Sequence, residues 1–133
     1  MIVTDIRTHL ISVPFADPPK TGFLTLHDID LLIVEVECDN GVVGTGHLHP
    51  LAGGMRTLDM CVHEMLKPLL MGESLDSIEN LWQKMWQATF IQGRMGITVM
   101  AMSALDVALW DALGRSKGQP LWQLWGGRAD PIQ

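Results

Sequence analysis

The run Ala101-Met102-Ser103-Ala104-Leu105-Asp106-Val107-Ala108-Leu109-Trp110-Asp111-Ala112-Leu113-Gly114-Arg115 decides how this chain is read. From Ile97 to Leu113 the sequence is apolar nearly all round a helix, which marks an element buried on more than one side. Ala101, Ala104, Ala108 and Ala112 recur three or four apart, a row of small side chains that lets another backbone come close. Asp106 and Asp111 interrupt this helix, and a buried carboxylate needs a partner or several hydrogen bonds. Either each aspartate orients a neighbouring backbone or pairs with an Arg, or one of them is a catalytic acid or metal ligand. No second carboxylate at helical spacing stands beside either, which favours the first reading.

Upstream, the pattern changes from helix to strand. Residues 2–13 alternate, with Ile2, Ile6 and Leu10 on one side and Asp5, Arg7 and His9 on the other, the mark of a half-buried strand. Residues 14–30 hold Pro14, Pro18, Pro19 and Gly22 with little periodicity. They read as a long loop, and a loop of that length in a small domain is often functional. Leu31 to Cys38 is a second strand, with Leu32, Val34, Val36 and Cys38 toward the core and Glu35 and Glu37 opposite. Asp39-Asn40-Gly41 is a hairpin turn, and Val42 to His49 returns as the third strand of an antiparallel meander.

Leu58, Cys61, Val62, Met65 and Leu66 then fall at helical spacing, and Pro68 ends or kinks that helix. Ser74 or Asp76 caps the next, with Glu79 placed as in a capping box, and Ile78, Leu81, Trp82, Met85 and Trp86 form its apolar stripe. Gly93 and Gly96 break the chain before the third helix, which runs to about Gly114. Strands first and helices after give an α+β domain, a three-stranded antiparallel meander followed by a three-helix bundle.

The chain has 133 residues, enough for one domain with a real core, since 47% of them are apolar and 18% charged. Nine Met and five Trp with no Tyr imply more apolar surface than a small monomer usually hides, and hence a covering partner. The net charge of −6 and the scattered basic residues argue against nucleic-acid binding. Met1 to Arg7 shows no secretory pattern, and charged residues interrupt each apolar run before membrane-spanning length. Cys38 and Cys61 match no metal or redox spacing and read as reduced and buried. A soluble cytoplasmic protein is expected.

Ala101, Ser103, Ala104, Leu105, Asp106, Ala108, Leu109, Asp111, Gly114, Arg115, Pro120, Leu121, Leu124 and Gly126 together resemble the signature of the mandelate racemase and muconate lactonizing enzyme family, within the enolase superfamily. Trp125 departs from it, where a smaller aliphatic residue or Met is usual. The order of the earlier elements agrees, including Gly41-Val42-Val43-Gly44 and the step from Pro68 to Gly72, so the resemblance covers the whole chain. The spacing from Val13-Pro14 to Gly44 is most similar to the mandelate racemase subgroup.

The resemblance implies an N-terminal capping domain over residues 1–127, with 128–133 starting the link to a (β/α) barrel that is not in this chain. A barrel alone takes about 250 residues. In the family the barrel supplies Lys or His bases and three carboxylates for Mg²⁺, and the shared step removes a proton next to a carboxylate. No Lys-x-Lys occurs in this chain, so no catalytic residue and no metal ligand are assigned to it. The expected role is that of a substrate cap in a Mg²⁺-dependent racemase, cycloisomerase or acid-sugar dehydratase. Its partners would be a small carboxylic-acid substrate, the barrel and further copies in a homo-oligomer. The rival reading is a stand-alone, non-catalytic α+β module that binds a partner or dimerises, for which the exposed-looking Trp122 and Trp125 are equally suited.

The cap's tools would be residues 14–30 and roughly 47–55. Matched against the family's substrate-touching positions, the candidates are Pro19, Thr21, Leu26 and Leu51. His47 and His49, with Thr45, fall on one face of the third strand. They read as a structural pair at a strand end, as hydrogen-bonding contacts to substrate, or as a metal pair that lacks a third ligand nearby. His9, His27 and His63 read as solvated or capping, and Lys20 as an exposed loop lysine.

Overall fold

The computed structural model describes residues 1–50 and 53–129. Three antiparallel strands, β1 (Val3–Pro14), β2 (Asp28–Cys38) and β3 (Val43–Leu48), form one sheet in the order β1-β2-β3. Helices cover one of its faces. Along β2 every second side chain, Leu32, Val34, Val36 and Cys38, is buried, as the period-two pattern requires. The turn after β2 closes through Cys38 N–H to Val42 O at 2.9 Å, while Asn40 Oδ1 accepts from Val42 N.

The first strand departs from simple alternation. Val3 and Ile6 are both buried although they stand three apart, because the pairing register shifts between Val3 and Asp5. Beyond that shift Ile6, Thr8 and Leu10 share a face. Leu10 was expected in the core and is 42% exposed, since it borders a cleft with Met55, Arg56, Asp59 and Met60. β1 and β2 also run further than the sequence pattern shows. They pair as far as Pro14 and Asp28, so the loop between them is shorter than expected.

The first helical segment combines α1 (Met55–Met60), a π-helical stretch (Cys61–Leu66) and α2 (Lys67–Leu70). Pro68 therefore does not end the helix. It sits inside α2, and the wider turn just before it accommodates a residue that has no N–H to give to the preceding turn. Ser74 Oγ accepts from Asp76 N at 3.2 Å and starts a 3₁₀ turn (Leu75–Ser77) that leads into α3 (Ile78–Ala88). The expected capping box at Asp76 is absent, because that residue lies within the 3₁₀ turn.

α4 (Ile97–Lys117) is the central helix, and α5 (Leu121–Leu124) is a single turn after it. By length and composition α4 reaches membrane-spanning size, contrary to the expectation that charge interrupts every such run. Its apolarity serves the domain core: Ala101, Ala104, Leu105, Ala108, Leu109 and Ala112 are all fully buried. The alanine row faces β3. A Cβ on Gly46 would lie 2.0 Å from the carbonyl oxygen of Ala104, and one on Gly44 2.1 Å from that of Ala108. The helix passes Gly114 and stops at Gly118, whose φ of 60° allows the left-handed cap.

Candidate functional site

Two loops meet at the end of the sheet where β1 gives way to β2 and β3 ends. Residues 15–27 are not structureless. Thr21 N–H donates to Leu24 O at 2.8 Å and Leu26 N–H to Pro19 O at 3.0 Å, and Lys20 bridges to Thr25, giving a small hairpin. The hydroxyl of Thr21 donates to Leu24 O and accepts from Leu24 N, which holds the turn. Phe23 stands 94% exposed at its tip.

On the other side, His49 follows the end of β3. Its Nδ1–H donates to the carbonyl of Asp30 at 2.7 Å, a bond that fixes the ring and leaves Nε2 as its second hydrogen-bonding atom. Between the two loops lies a cleft of about 380 Å³, lined by residues from Leu24 to Asp28 together with Asp30, His49, Pro50 and Gly53. It mixes apolar walls with hydroxyl, carboxylate and imidazole groups, the usual make-up of a small-molecule site. A larger cleft of about 520 Å³ lies beside α1 and Leu10. Residues of both loops line the smaller one, which makes it the candidate site.

Leu26, read from sequence as a substrate contact, and His49, read as a structural, substrate-binding or metal residue, both line this cleft. Pro19 and Thr21 lie in the hairpin beside it, where they hold its backbone, and neither lines the cleft. His47 is exposed on the outer face of β3, opposite Ile33, and is separate from the cleft. Leu51 lies outside the described residues. Thr25, Asp28 and Asp30 were not singled out from sequence. Extending the alternation of β2 backward from Leu32 places Asp28 and Asp30 in phase with it.

The other titratable groups serve the framework. Asp111 accepts from the Thr45 backbone N–H at 2.8 Å and from Arg115 Nε at 2.7 Å, so it both orients a backbone and pairs with an Arg. His63 is part-exposed and also partnered within the fold, since its Nε2 lies 2.8 Å from Thr8 Oγ1 and 3.5 Å from Asp59 Oδ1. The hydrogen bond from His9 holds the Glu35 carboxyl below its usual range. Burial pushes the thiols of Cys38 and Cys61 up, which leaves them poor nucleophiles. Among the described residues, no group of three or more His, Cys, Asp or Glu is placed to hold a metal ion.

The sequence matches the family described as mandelate racemase / muconate lactonizing enzyme, N-terminal domain, over residues 4–126. It is 34% identical to an arabinonate dehydratase of Saccharolobus solfataricus, over 95% of this chain and 35% of that protein. It is 33% identical to a 3,6-anhydro-alpha-L-galactonate cycloisomerase of Streptomyces coelicolor, over 98% of this chain and 36% of that protein. Among solved structures, an enolase from Bradyrhizobium complexed with magnesium and mandelic acid superposes with a TM-score of 0.87 at 30% identity, over 98% of this chain and 36% of that one. A strand meander followed by helices, with a cleft between its two loops, defines an α+β domain of the enolase superfamily. The chain belongs to the mandelate racemase / muconate lactonizing enzyme family and contains its N-terminal domain. It spans about a third of the length of these relatives, and the family's barrel is not among its 133 residues.

Proposed function

We propose that this domain closes over the substrate of a Mg²⁺-dependent racemase, cycloisomerase or acid-sugar dehydratase that removes a proton next to a carboxylate. The observation that carries this reading is the convergence of Leu26 and His49, from two separate loops, on one cleft of about 380 Å³. Relatives named as a dehydratase and a cycloisomerase, and a structural neighbour holding magnesium and mandelic acid, support the substrate class and the metal. In this reading the barrel holds the metal and the bases. The domain supplies side chains that touch the end of the acid remote from the reacting carbon, and it excludes water from the site.

The chemistry of the cleft narrows the acid. Asp28, Asp30 and His49 offer acceptors and one imidazole to a ligand, a set suited to the hydroxyls of a sugar acid. Leu24, Leu26 and Pro50 supply the apolar wall against which a carbon chain packs.

The test compares the chain alone with the chain joined at Gly127 to the barrel of the arabinonate dehydratase relative. Each is incubated with Mg²⁺ and a panel of sugar acids and α-hydroxy acids, and hydrogen exchange next to the carboxylate and dehydration are followed. The expected result is no turnover by the chain alone and turnover of at least one sugar acid by the fusion. Turnover by the chain alone, or a folded, Mg²⁺-binding fusion that is inert toward the whole panel, would contradict it.

A further inference from the structure

Asp28 and Asp30 are two apart on β2, so they stand on the same face of the strand, in phase with Leu32. Leu32 is fully buried, whereas the two aspartates lie nearer the start of the strand, opposite Pro14 and Ser12, and line the loop cleft. His49 donates to the backbone carbonyl of Asp30, which leaves the Asp30 carboxylate unused by that bond. Among the described residues, neither carboxylate has a hydrogen bond or an ion pair within the domain.

The cleft therefore carries charge of one sign. Its other polar side chains are Thr25, His27 and His49, and no Lys or Arg lines it. Lys20 stands across the small hairpin from Thr25 and is not part of the lining. With Nδ1 of His49 donating to Asp30, a neutral ring turns Nε2 to the cleft as an acceptor. Thr25 and His27 can each donate a hydrogen bond, but neither brings a fixed positive charge.

This asymmetry separates two kinds of sugar acid. In one kind the end remote from the reacting carboxylate is a hydroxyl, which can donate to Asp28, Asp30 or His49 Nε2 in a charge-assisted bond. In the other kind that end is a second carboxylate, which has no proton to donate and would stand beside two like charges. The apolar wall of Leu24 and Leu26 displaces the water that would screen them.

We propose that Asp28 and Asp30 make the cleft selective for acids with a single carboxylate and a hydroxylated remote end, and reject acids with a second carboxylate there. The proposal rests on the reading that this cleft meets the remote end of the substrate, and adds the residues that discriminate and the class they exclude.

The test uses the protein that joins this domain to a barrel, with paired sugar acids of equal chain length and configuration. One of each pair ends in a primary alcohol and the other in a second carboxylate. The expected kcat/KM favours the single-carboxylate acid by about tenfold or more. Asp28→Asn and Asp30→Asn should each narrow that preference by about threefold or more through a lower KM for the diacid. Asp30→Asn keeps the backbone carbonyl that His49 uses, and Asp30→Glu, which keeps the charge, should keep the preference. Equal use of both acids by the unsubstituted protein would overturn the proposal. So would an unchanged preference in both Asn variants while Leu26→Ala still alters turnover, an outcome that spares the reading of the cleft as a substrate contact. No change on either acid from any of these substitutions would overturn that reading, and the proposal with it.

Discussion

Gly46 and Ala104 are packed so closely that a single methyl group on the glycine would fall 2.0 Å from the alanine's carbonyl oxygen. This contact, with its neighbour between Gly44 and Ala108, sets the distance between sheet and central helix. Gly46→Ala is expected to destabilise the domain by about 3 kcal/mol or more, the upper end of overpacking costs, because the obstacle is backbone and cannot rotate away. Gly22→Ala, which meets nothing within 4 Å, should change stability by about 0.5 kcal/mol at most. Urea unfolding of the two variants checks the contrast.

Asp111 ties α4 to β3 through the Thr45 backbone and to its own helix through Arg115. Asp111→Ala should cost about 1 kcal/mol, the worth of a hydrogen bond made by a partly exposed charged group. Arg115→Ala should cost less, about 0.5 kcal/mol, since that pair is exposed and screened. Equal effects in urea unfolding would mean that the ion pair, and not the backbone bond, holds the joint.

Asp106 gives a pH dependence of unusual sign. Its folded-state pKa is raised by burial and then by Glu79, so it opposes folding once pH rises above its ordinary value of 3.8. Below that value both states are protonated and the opposition vanishes. Asp106→Asn is therefore expected to stabilise the free chain at pH 7 and to be nearly neutral at pH 3. Thermal unfolding across that window checks it, and destabilisation at pH 7 would show an unrecognised partner.

Asp5 behaves in the opposite way. Lys67 Nζ lies 2.7 Å from its Oδ1 and 2.7 Å from the carbonyl of Ile6, and the bond to Lys67 holds the Asp5 carboxyl below its ordinary 3.8. A depressed carboxylate contributes stability above the unfolded value and loses it as pH falls through the folded one. Lys67→Met should therefore lower stability more at pH 6 than at pH 2.5. A loss of the same size at both pH values would assign the lysine's role to its bond with Ile6 alone.

The alternation of β2 and the alanine row of α4 were legible because each side chain's burial follows directly from strand or helix period. The partner of that row was not, since glycines in a strand show no period of their own; Gly44 and Gly46 acquire meaning only once α4 lies across them. The register shift after Val3 and the π turn before Pro68 were likewise hidden, because each depends on what the segment packs against. At the loop cleft, Leu26 was singled out through the family resemblance and His49 through the alternation of the third strand. Asp28 and Asp30 were passed over because a proline-rich stretch masked the early start of β2.

If the cleft between the two loops reads the substrate, substrate discrimination reveals it most directly. In the protein that joins this domain to a barrel, kcat/KM is measured for a panel of sugar acids and α-hydroxy acids before and after His49→Ala and Leu26→Ala. Losing one hydrogen bond to the bound acid costs on the order of 0.5–1.5 kcal/mol, a few-fold to about tenfold in kcat/KM. The predicted result is losses of that size for some acids and not others, with Mg²⁺ affinity unchanged. Equal losses on every acid, or weakened Mg²⁺ binding, would show that these residues hold the fold and do not read the substrate.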